Sequence, residues 1–481
     1  MKDNLARPDT VGADENRISP ALWGLASILI LGGFTSMFTS TIVNVALDTL
    51  SQKLSAPLGT VQWTATGYLM ALATAVPVSG WASKRYGATR LWLGSVALFT
   101  LFSALCALST SVEMLITFRV LQGIAGGLLV PAGQILLVTA AGPKRIGRML
   151  TAVSVPIYLA PAVGTTLGSV LTQGLGWPWL FWITVPLGAL GFFAGLRWLP
   201  KAPPKGAPAL DVRGLIILVA GLPLLTYGVA GIGENGGRTE TIAVIAAVAG
   251  ALLLALFTLH AVRSRNPLLN LRLFKDRAFS SAAVVIFCMG IALFGAMIVL
   301  PIYFLQVRHE DLVTAGLLTA PSAIGTVLAL PLAGKMTDKI GGARVIFAGL
   351  VVTIIGTIPL ALVTPHDSYV WLSLVQIVRG IGIGMTTTPA MAAGLAMIGK
   401  EDVPHATPIF NVLQRVGGSF GTALTTVLVA FQLASGPQTD EGAADAIGYT
   451  HWWIVACTAI VLIPSMLLVQ VESRRRQAAA A

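Results

Sequence analysis

Long apolar stretches alternate with short polar segments along nearly the whole chain. Fourteen of them stand out, at residues 22–47, 61–83, 91–112, 114–138, 149–172, 178–196, 214–233, 241–262, 278–307, 312–334, 345–365, 369–398, 403–434 and 450–471, and none contains an aspartate or glutamate. About 20 apolar residues suffice for a helix to cross the hydrocarbon core of a bilayer. The pattern predicts an all-α, polytopic membrane protein with fourteen transmembrane helices.

Landmarks within this pattern recur. GWASKRYG (Gly80 to Gly87) closes the second stretch, and GKMTDKIG (Gly334 to Gly341) follows the tenth, 254 residues later. RVLQGIAGG (Arg119 to Gly127) lies in the fourth stretch and RGIGIG (Arg379 to Gly384) in the twelfth, with Arg379 placed 260 residues after Arg119. Nearly equal offsets predict two homologous six-helix halves, 22–196 and 278–471, with two extra helices at 214–262 between them. Parallel repeats are a transporter architecture, with the substrate site between the halves. The rest divides into an N-terminal tail (1–21), a proline- and lysine-rich linker (197–213), a loop (263–277) and a C-terminal tail (472–481).

Composition follows from the spans: 55% of the residues are hydrophobic and 11% charged, with 51 glycines, where a soluble domain carries about 25% charge. Glycine is expected where membrane helices pack closely. The net charge of +11 reports topology. With the N-terminus inside and sides alternating, 25 basic residues fall on one face against Lys53, Arg238 and Arg308 on the other. By the positive-inside rule both termini are cytoplasmic, in a cell membrane, and no nucleic-acid partner is required. Residues 1–20 are polar and the first apolar run is too long for a signal-peptide core, so no cleavable signal is expected. Cys106, Cys288 and Cys457 lie inside spans at no metal-like spacing. They read as packing residues, and neither metal nor cofactor is expected.

Inside the spans only Arg119, Arg379 and Arg415 are formally charged. A charge at the bilayer centre costs at least about 2.5 kcal/mol, so each should face a cavity or a partner. Arg119 and Gln122 are three apart and share a helix face, beside the small-residue face of Gly123 and Gly127. Arg119 reads as a polar site responding to proton or substrate, or else as a structural arginine bonded to backbone carbonyls. No GxxxxGK loop is present, so ATP is not the expected energy source. A membrane enzyme would need clustered His, Asp, Glu or Cys, and the histidines are scattered near span ends. A channel would need a filter repeat or an acidic ring, and neither is visible.

These landmarks together resemble the major facilitator superfamily, and more narrowly its fourteen-helix drug:proton antiporter branch of EmrB/QacA type. LITFRVLQGIAGG resembles the family's span-4 motif, GKMTDKIG its gate motif, and TIVNVAL and QWTATGYLMA its first two spans. APAVGTTLG with WPWLFWITVPLG resembles the stretch typical of exporters. NPLLNLRLFKDRAF, LPIYFLQ and NVLQRVGGSFGTA look like the branch's second half.

The resemblance implies gates at Gly80, Lys84 and Gly87 and at Gly334, Asp338 and Gly341. Only the second copy keeps its acid, since Lys84 stands in the acid's place in the first. Pro156, Pro161, Gly164 and Gly168 fall in the exporter motif and imply a bendable, thin-faced helix. Cavity candidates are Met37, Thr39, Asn44, Tyr68, Tyr158, Met297, Tyr303, Gln306, Asn411 and Gln414. Thr39 occupies the place of the branch's usual first-span acid. Asp48 and Glu113, at the outer ends of spans 1 and 4, are the nearest proton carriers, and Gln122, Arg379 and Arg415 join Arg119 as coupling candidates.

The implied function is secondary active efflux of small amphipathic compounds by alternating access, with proton antiport. The alternative is a dedicated exporter of one metabolite, an anion or a lipid-like molecule, with atypical or no proton coupling. Three in-span arginines without a carboxylate predict a neutral or weakly acidic amphipathic substrate over a quaternary ammonium compound.

Overall fold

A computed structural model describes residues 18–200, 206, 209–234, 241–437 and 439–480. Every predicted apolar stretch is helical, and no strand occurs among the described residues. Twelve helices are long and apolar enough to cross a membrane by length and composition.

The chain forms two compact units. The first takes residues up to Leu215 together with Arg265–Leu269 and Gly399–Ile409. It contains α1 (Pro20–Ile42), α2 (Leu47–Lys53), α3 (Leu58–Val61), α4 (Trp63–Ala75), α5 (Val78–Tyr86), α6 (Ala88–Ala107), α7 (Val112–Ala141), α8 (Ile146–Gly174), α9 (Trp179–Trp182) and α10 (Thr184–Trp198). Ser19 caps α1 by accepting from the Leu22 N–H, with Pro20 pre-set for the first turn. The second predicted span is two helices rather than one. Pro77 has no N–H to continue the ladder, so α4 ends at Ala75 and α5 starts at Val78. α8 runs unbroken through Pro156 and Pro161. Phe38, Ile42, Leu50, Val61, Leu115 and Phe181 form one buried core of this unit.

The second unit takes Ile216–Ser264, Asn270–Ile398 and Phe410–Ala481. Its helices are α11 (Val212–Glu234, whose first residues belong to the first unit), α12 (Thr241–Arg263), α13 (Arg277–Ile302), α14 (Leu312–Ile340), α15 (Gly342–Thr357), α16 (Tyr369–Gly384) and α17 (Thr387–Ala396). α18 (Val403–Ser435), shared with the first unit, and α19 (Asp440–Ala480) complete it. α11 and α12, the two extra helices, pack with near-contact of their backbones: a Cβ at Gly228 would lie 2.1 Å from the Ala247 nitrogen. Ile242, Ile245 and Leu252 of α12 are 67%, 62% and 66% exposed, the outward face expected of a helix in lipid. After Pro301, residues Tyr303–Val307 widen into a π turn. The hydroxyl of Tyr303 donates to the Thr364 carbonyl at 2.7 Å. Leu300, Phe304, Leu360, Leu372 and Ile447 pack around it.

Candidate functional site

α7 and α4 are brought together by glycines. A Cβ at Gly123 would lie 2.4 Å from the Tyr68 carbonyl oxygen, and one at Gly127 2.3 Å from that of Leu72. Only glycine permits this approach. The close seam carries Arg119, one turn before Gly123, into the interior, where it is fully buried. Its Nε donates to the Thr64 carbonyl at 2.8 Å, Nη1 to Gln122 Oε1 at 2.8 Å and Nη2 to the Thr39 carbonyl at 3.4 Å. The guanidinium lies 4.0 Å over the Tyr68 ring and 5.8 Å from that of Phe181. The Tyr68 hydroxyl donates in turn to the Ser36 carbonyl at 2.9 Å, which fixes the ring. Neutral acceptors and aromatic faces thus compensate this charge. Two polar atoms of the nest, Thr39 Oγ1 and Gln122 Nε2, are buried without a hydrogen-bond partner. Buried polar groups ordinarily find partners, so these two atoms set the nest apart.

The second unit has the same seam with different chemistry. A Cβ at Gly380 would lie 2.0 Å from the Ser322 carbonyl oxygen, and one at Gly384 2.5 Å from that of Thr326. Ser322 and Thr326 stand 254 residues after Tyr68 and Leu72; Gly380 and Gly384 stand 257 after Gly123 and Gly127. In that register the partner of Arg119 is Gln376, and Arg379 matches Gln122. The sequence pairing of Arg119 with Arg379 is therefore displaced by three residues. Hydrogen bonding agrees: Gln376 Nε2 donates to the Leu318 carbonyl at 2.9 Å, and Leu318 stands 254 after Thr64. Gln376 Oε1 and Arg379 Nε are buried without partners, although Arg379 is only 4% exposed.

Both gate motifs end in glycine with positive φ, 88° at Gly87 and 101° at Gly341, a turn that glycine favours. Gly80 lies against the Pro404 carbonyl oxygen, which a Cβ would meet at 2.2 Å. Gly334 is buried, and Lys84 and Asp338 are half-buried. After each of these two motifs the next helix is tied to a distant segment. Thr89 Oγ1 donates to the Pro200 carbonyl at 2.6 Å, and the Ala343 N–H, 254 residues on, donates to the Glu472 carboxylate at 2.8 Å. Sequence reasoning passed over Glu472; its signal is an acid lying just beyond the last span yet only 8% exposed.

The other candidates separate. Gly164 and Gly168 press α8 onto α1, where added Cβ atoms would meet Thr41 Oγ1 at 2.7 Å and Ile42 Cγ1 at 2.9 Å. Pro156 and Tyr158 are half-buried, and the side chain of Pro161 lies outside the described residues. Met37, Asn411, Gln414 and Arg415 are half-buried, whereas Asn44, Asp48, Glu113, Met297 and Gln306 are exposed. Among the described residues no group of His, Cys, Asp or Glu could hold a metal ion. A cavity lined by Leu29, Trp92, Gln134, Ser154 and Ile157 has a volume of about 30 Å³, room for a water and not for a drug-sized molecule.

With this geometry in place, the chain can be set beside known proteins. The Major Facilitator Superfamily profile matches residues 29–422. A Multidrug resistance protein B homolog of Mycobacterium tuberculosis is 34% identical over 420 residues, 87% of this chain and 78% of that one. The Multidrug export protein EmrB of Haemophilus influenzae is 30% identical, over 85% of this chain and 82% of its own. The Lincomycin resistance protein LmrB of Bacillus subtilis is 29% identical, over 84% of each chain. Among solved structures, the human organic anion transporter MFSD10 (TETRAN) superposes with a TM-score of 0.65 at 14% identity, covering 94% of this chain and all of that one. The proton:xylose symporter XylE gives 0.63 at 12% identity, covering 92% and 94%. These two likenesses speak to the fold alone.

Proposed function

The chain belongs to the Major Facilitator Superfamily, and from that premise we propose that it is a secondary active efflux transporter for small amphipathic compounds. It works by alternating access and is driven by proton antiport; it is a transporter and not an enzyme. Relatives that share most of its length carry names of multidrug and lincomycin resistance, which supports this reading. The proposed layout is a six-helix half at 22–196, two extra helices at 214–262 and a second half at 278–471. The linker 197–213, the loop 263–277 and the tails 1–21 and 472–481 are all cytoplasmic, and the protein resides in the cell membrane.

The observation that carries the substrate class is the Arg119 nest. A fully buried guanidinium, compensated by carbonyls and aromatic rings, presents positive potential and spare hydrogen-bonding atoms at Thr39 and Gln122. A desolvated permanent cation would find no counter-charge there, while a neutral or weakly acidic amphiphile would find donors. Ethidium, chloramphenicol and an acidic fluoroquinolone, tested side by side in cells with and without the protein, check the reading. Preferential efflux of the neutral and acidic compounds is expected, and strong efflux of ethidium alone would overturn the charge argument.

The three in-span arginines without a carboxylate favour a second reading, a dedicated exporter of one anionic metabolite or lipid-like molecule. Efflux confined to a single acidic compound in the same panel would establish it.

A further inference from the structure

α14 ends at Ile340 and α15 begins at Gly342, so a single residue, Gly341, makes the whole connection. Its φ of 101° lies in the left-handed region. Ser, Thr, Asp and Asn cap helices from an extended backbone, and Gly341 has neither that conformation nor a side chain. The first turn of α15 holds no acid of its own. Its leading N–H groups therefore need an acceptor from another element. We propose that Glu472 of α19 is a positioning residue of the transport cycle: it supplies the cap that Gly341 cannot, and so fixes the turn that carries Asp338. This rests on the efflux reading and adds a residue to it.

The contacts are direct. The Ala343 N–H donates to Glu472 Oε2 at 2.8 Å. A Cβ added at Gly341 would lie 2.8 Å from the carboxylate carbon, so the carboxylate rests on the bare side of the glycine. Glu472 stands beyond the apolar run of α19, where an acid could reach water, yet only 8% of it is exposed. Burying a carboxylate is costly unless it is hydrogen-bonded, and a helix N-terminus offers both N–H donors and the positive end of the helix dipole. The next residue is pressed as well: a Cβ at Gly342 would lie 2.7 Å from that of Ala393 on α17. α14, α15, α17 and α19 thus meet at a turn that begins three residues after Asp338.

The first unit has the same turn without this device. Gly87, at φ 88°, alone joins α5 to α6, and it provides no side-chain cap. Thr89, which matches Ala343, spends its hydroxyl on the Pro200 carbonyl. A carbonyl cannot donate and carries no full charge, so that bond ties two segments and does not cap a helix. Asp338 and the acid that fastens its turn occur together in the second unit, while Lys84 and a backbone carbonyl take their places in the first. This pairing ties Glu472 to the work of Asp338 and not to stability alone. Without the carboxylate the turn can reorganise and Asp338 loses its fixed place, which should slow turnover without changing the affinity for substrate.

Two measurements on the full-length protein test this. In liposomes, Glu472→Ala should lower the maximal rate of chloramphenicol transport about fivefold, the effect of one lost helix cap. Its KM should stay within about twofold of the wild type. Glu472→Gln, whose amide oxygen still accepts from Ala343, should fall between the two. In detergent, maleimide labelling of Thr337→Cys reports on the turn, read by peptide mass spectrometry that separates this site from Cys106, Cys288 and Cys457. Thr337 is 6% exposed, and so is Ser83, its counterpart 254 residues earlier. Adding Glu472→Ala should speed labelling of Thr337→Cys about fivefold, because a local opening is made easier, and leave Ser83→Cys unchanged. Equal acceleration at both sites, or at neither, overturns the assignment, and so does wild-type turnover or a loss confined to KM. Should Glu472→Ala fail to fold, Glu472→Gln carries the same comparisons with smaller changes in the same direction. Should the wild type move no chloramphenicol, the efflux reading is what fails, and the labelling still decides whether Glu472 holds the turn.

Discussion

The two units solve one packing problem with the same backbone and opposite side chains. α7 lies on the carbonyls of Tyr68 and Leu72, and α16 on those of Ser322 and Thr326, each through two glycines four residues apart. On α7 the order is arginine then glutamine, and every nitrogen of Arg119 finds an acceptor. On α16 the order is glutamine then arginine. Gln376 takes the carbonyl that Arg119 would hold, and Arg379 is left with a buried, unbound Nε. Each nest keeps two unpartnered buried atoms, but in the first they belong to Thr39 and Gln122 and in the second they include the arginine itself. Because an unmet hydrogen bond on a charged group in low dielectric costs more than one on a neutral group, the second arginine is the less firmly held of the two.

The largest test of this contrast removes the anchor in each unit. Arg119→Ala leaves the Thr64 carbonyl and Gln122 Oε1 without their donor. Bonds to a charged group contribute about 1.5–3 kcal/mol each, so transport in vesicles should nearly vanish. Arg119→Lys should rescue it only in part, since an ammonium cannot reproduce a planar fork. Gln376→Ala removes one neutral bond worth about 0.5–1.5 kcal/mol and should leave appreciable transport. Equal losses in the two variants would erase the distinction between the nests.

The seams themselves come next. Alanine at Gly123 or Gly380 puts a methyl within 2.4 Å or 2.0 Å of a carbonyl oxygen, and such overpacking costs about 1–3 kcal/mol. Both variants should melt earlier in detergent and transport poorly. An unaltered Gly380→Ala protein would mean that the second seam opens during the cycle.

Much of this was legible in the sequence, and the remainder failed for physical reasons. Apolar runs located the helices, since a bilayer demands them. The break at Pro77 was hidden because composition does not register a missing N–H inside an apolar run. The pairing of Arg119 with Arg379 came from aligning like residues, whereas the fold aligns glycines on carbonyls, three residues out of step. The apolar run alone puts His451 at a span end, whereas α19 starts at Asp440 and buries it. Glu472 reaches Ala343 across 129 residues, a contact that no local pattern encodes.

The gates offer a contrast of intermediate size. Asp338→Ala should reduce transport severalfold with normal membrane insertion, while Lys84→Ala should do less, because only the second copy keeps its acid. Wild-type rates for Asp338→Ala would remove the gating role. Just beyond this gate, Glu472→Gln replaces the carboxylate at the first turn of α15 by a neutral amide. An anion at a helix N-terminus contributes about 0.3–1 kcal/mol, so a small drop in melting temperature is expected. Thr89→Val, which breaks the corresponding tie to Pro200 in the first unit, should be comparably mild.

The smallest change is a shift in preference rather than in rate, and it tests the acid-free nest directly. The Thr39 carbonyl accepts from Arg119 while its own Oγ1 is buried without a partner. Thr39→Asp therefore places a carboxylate beside an existing guanidinium, at the position where the related branch usually carries its acid. The pair would compensate itself, since a buried charge is tolerable once paired, so folding should survive. The positive potential of the nest would fall, and a permanent cation would gain a counter-charge. Efflux of ethidium relative to chloramphenicol should rise severalfold in Thr39→Asp and stay unchanged in Thr39→Asn, which alters polarity without charge. An equal rise in both variants would assign the effect to hydration of the nest and not to its charge.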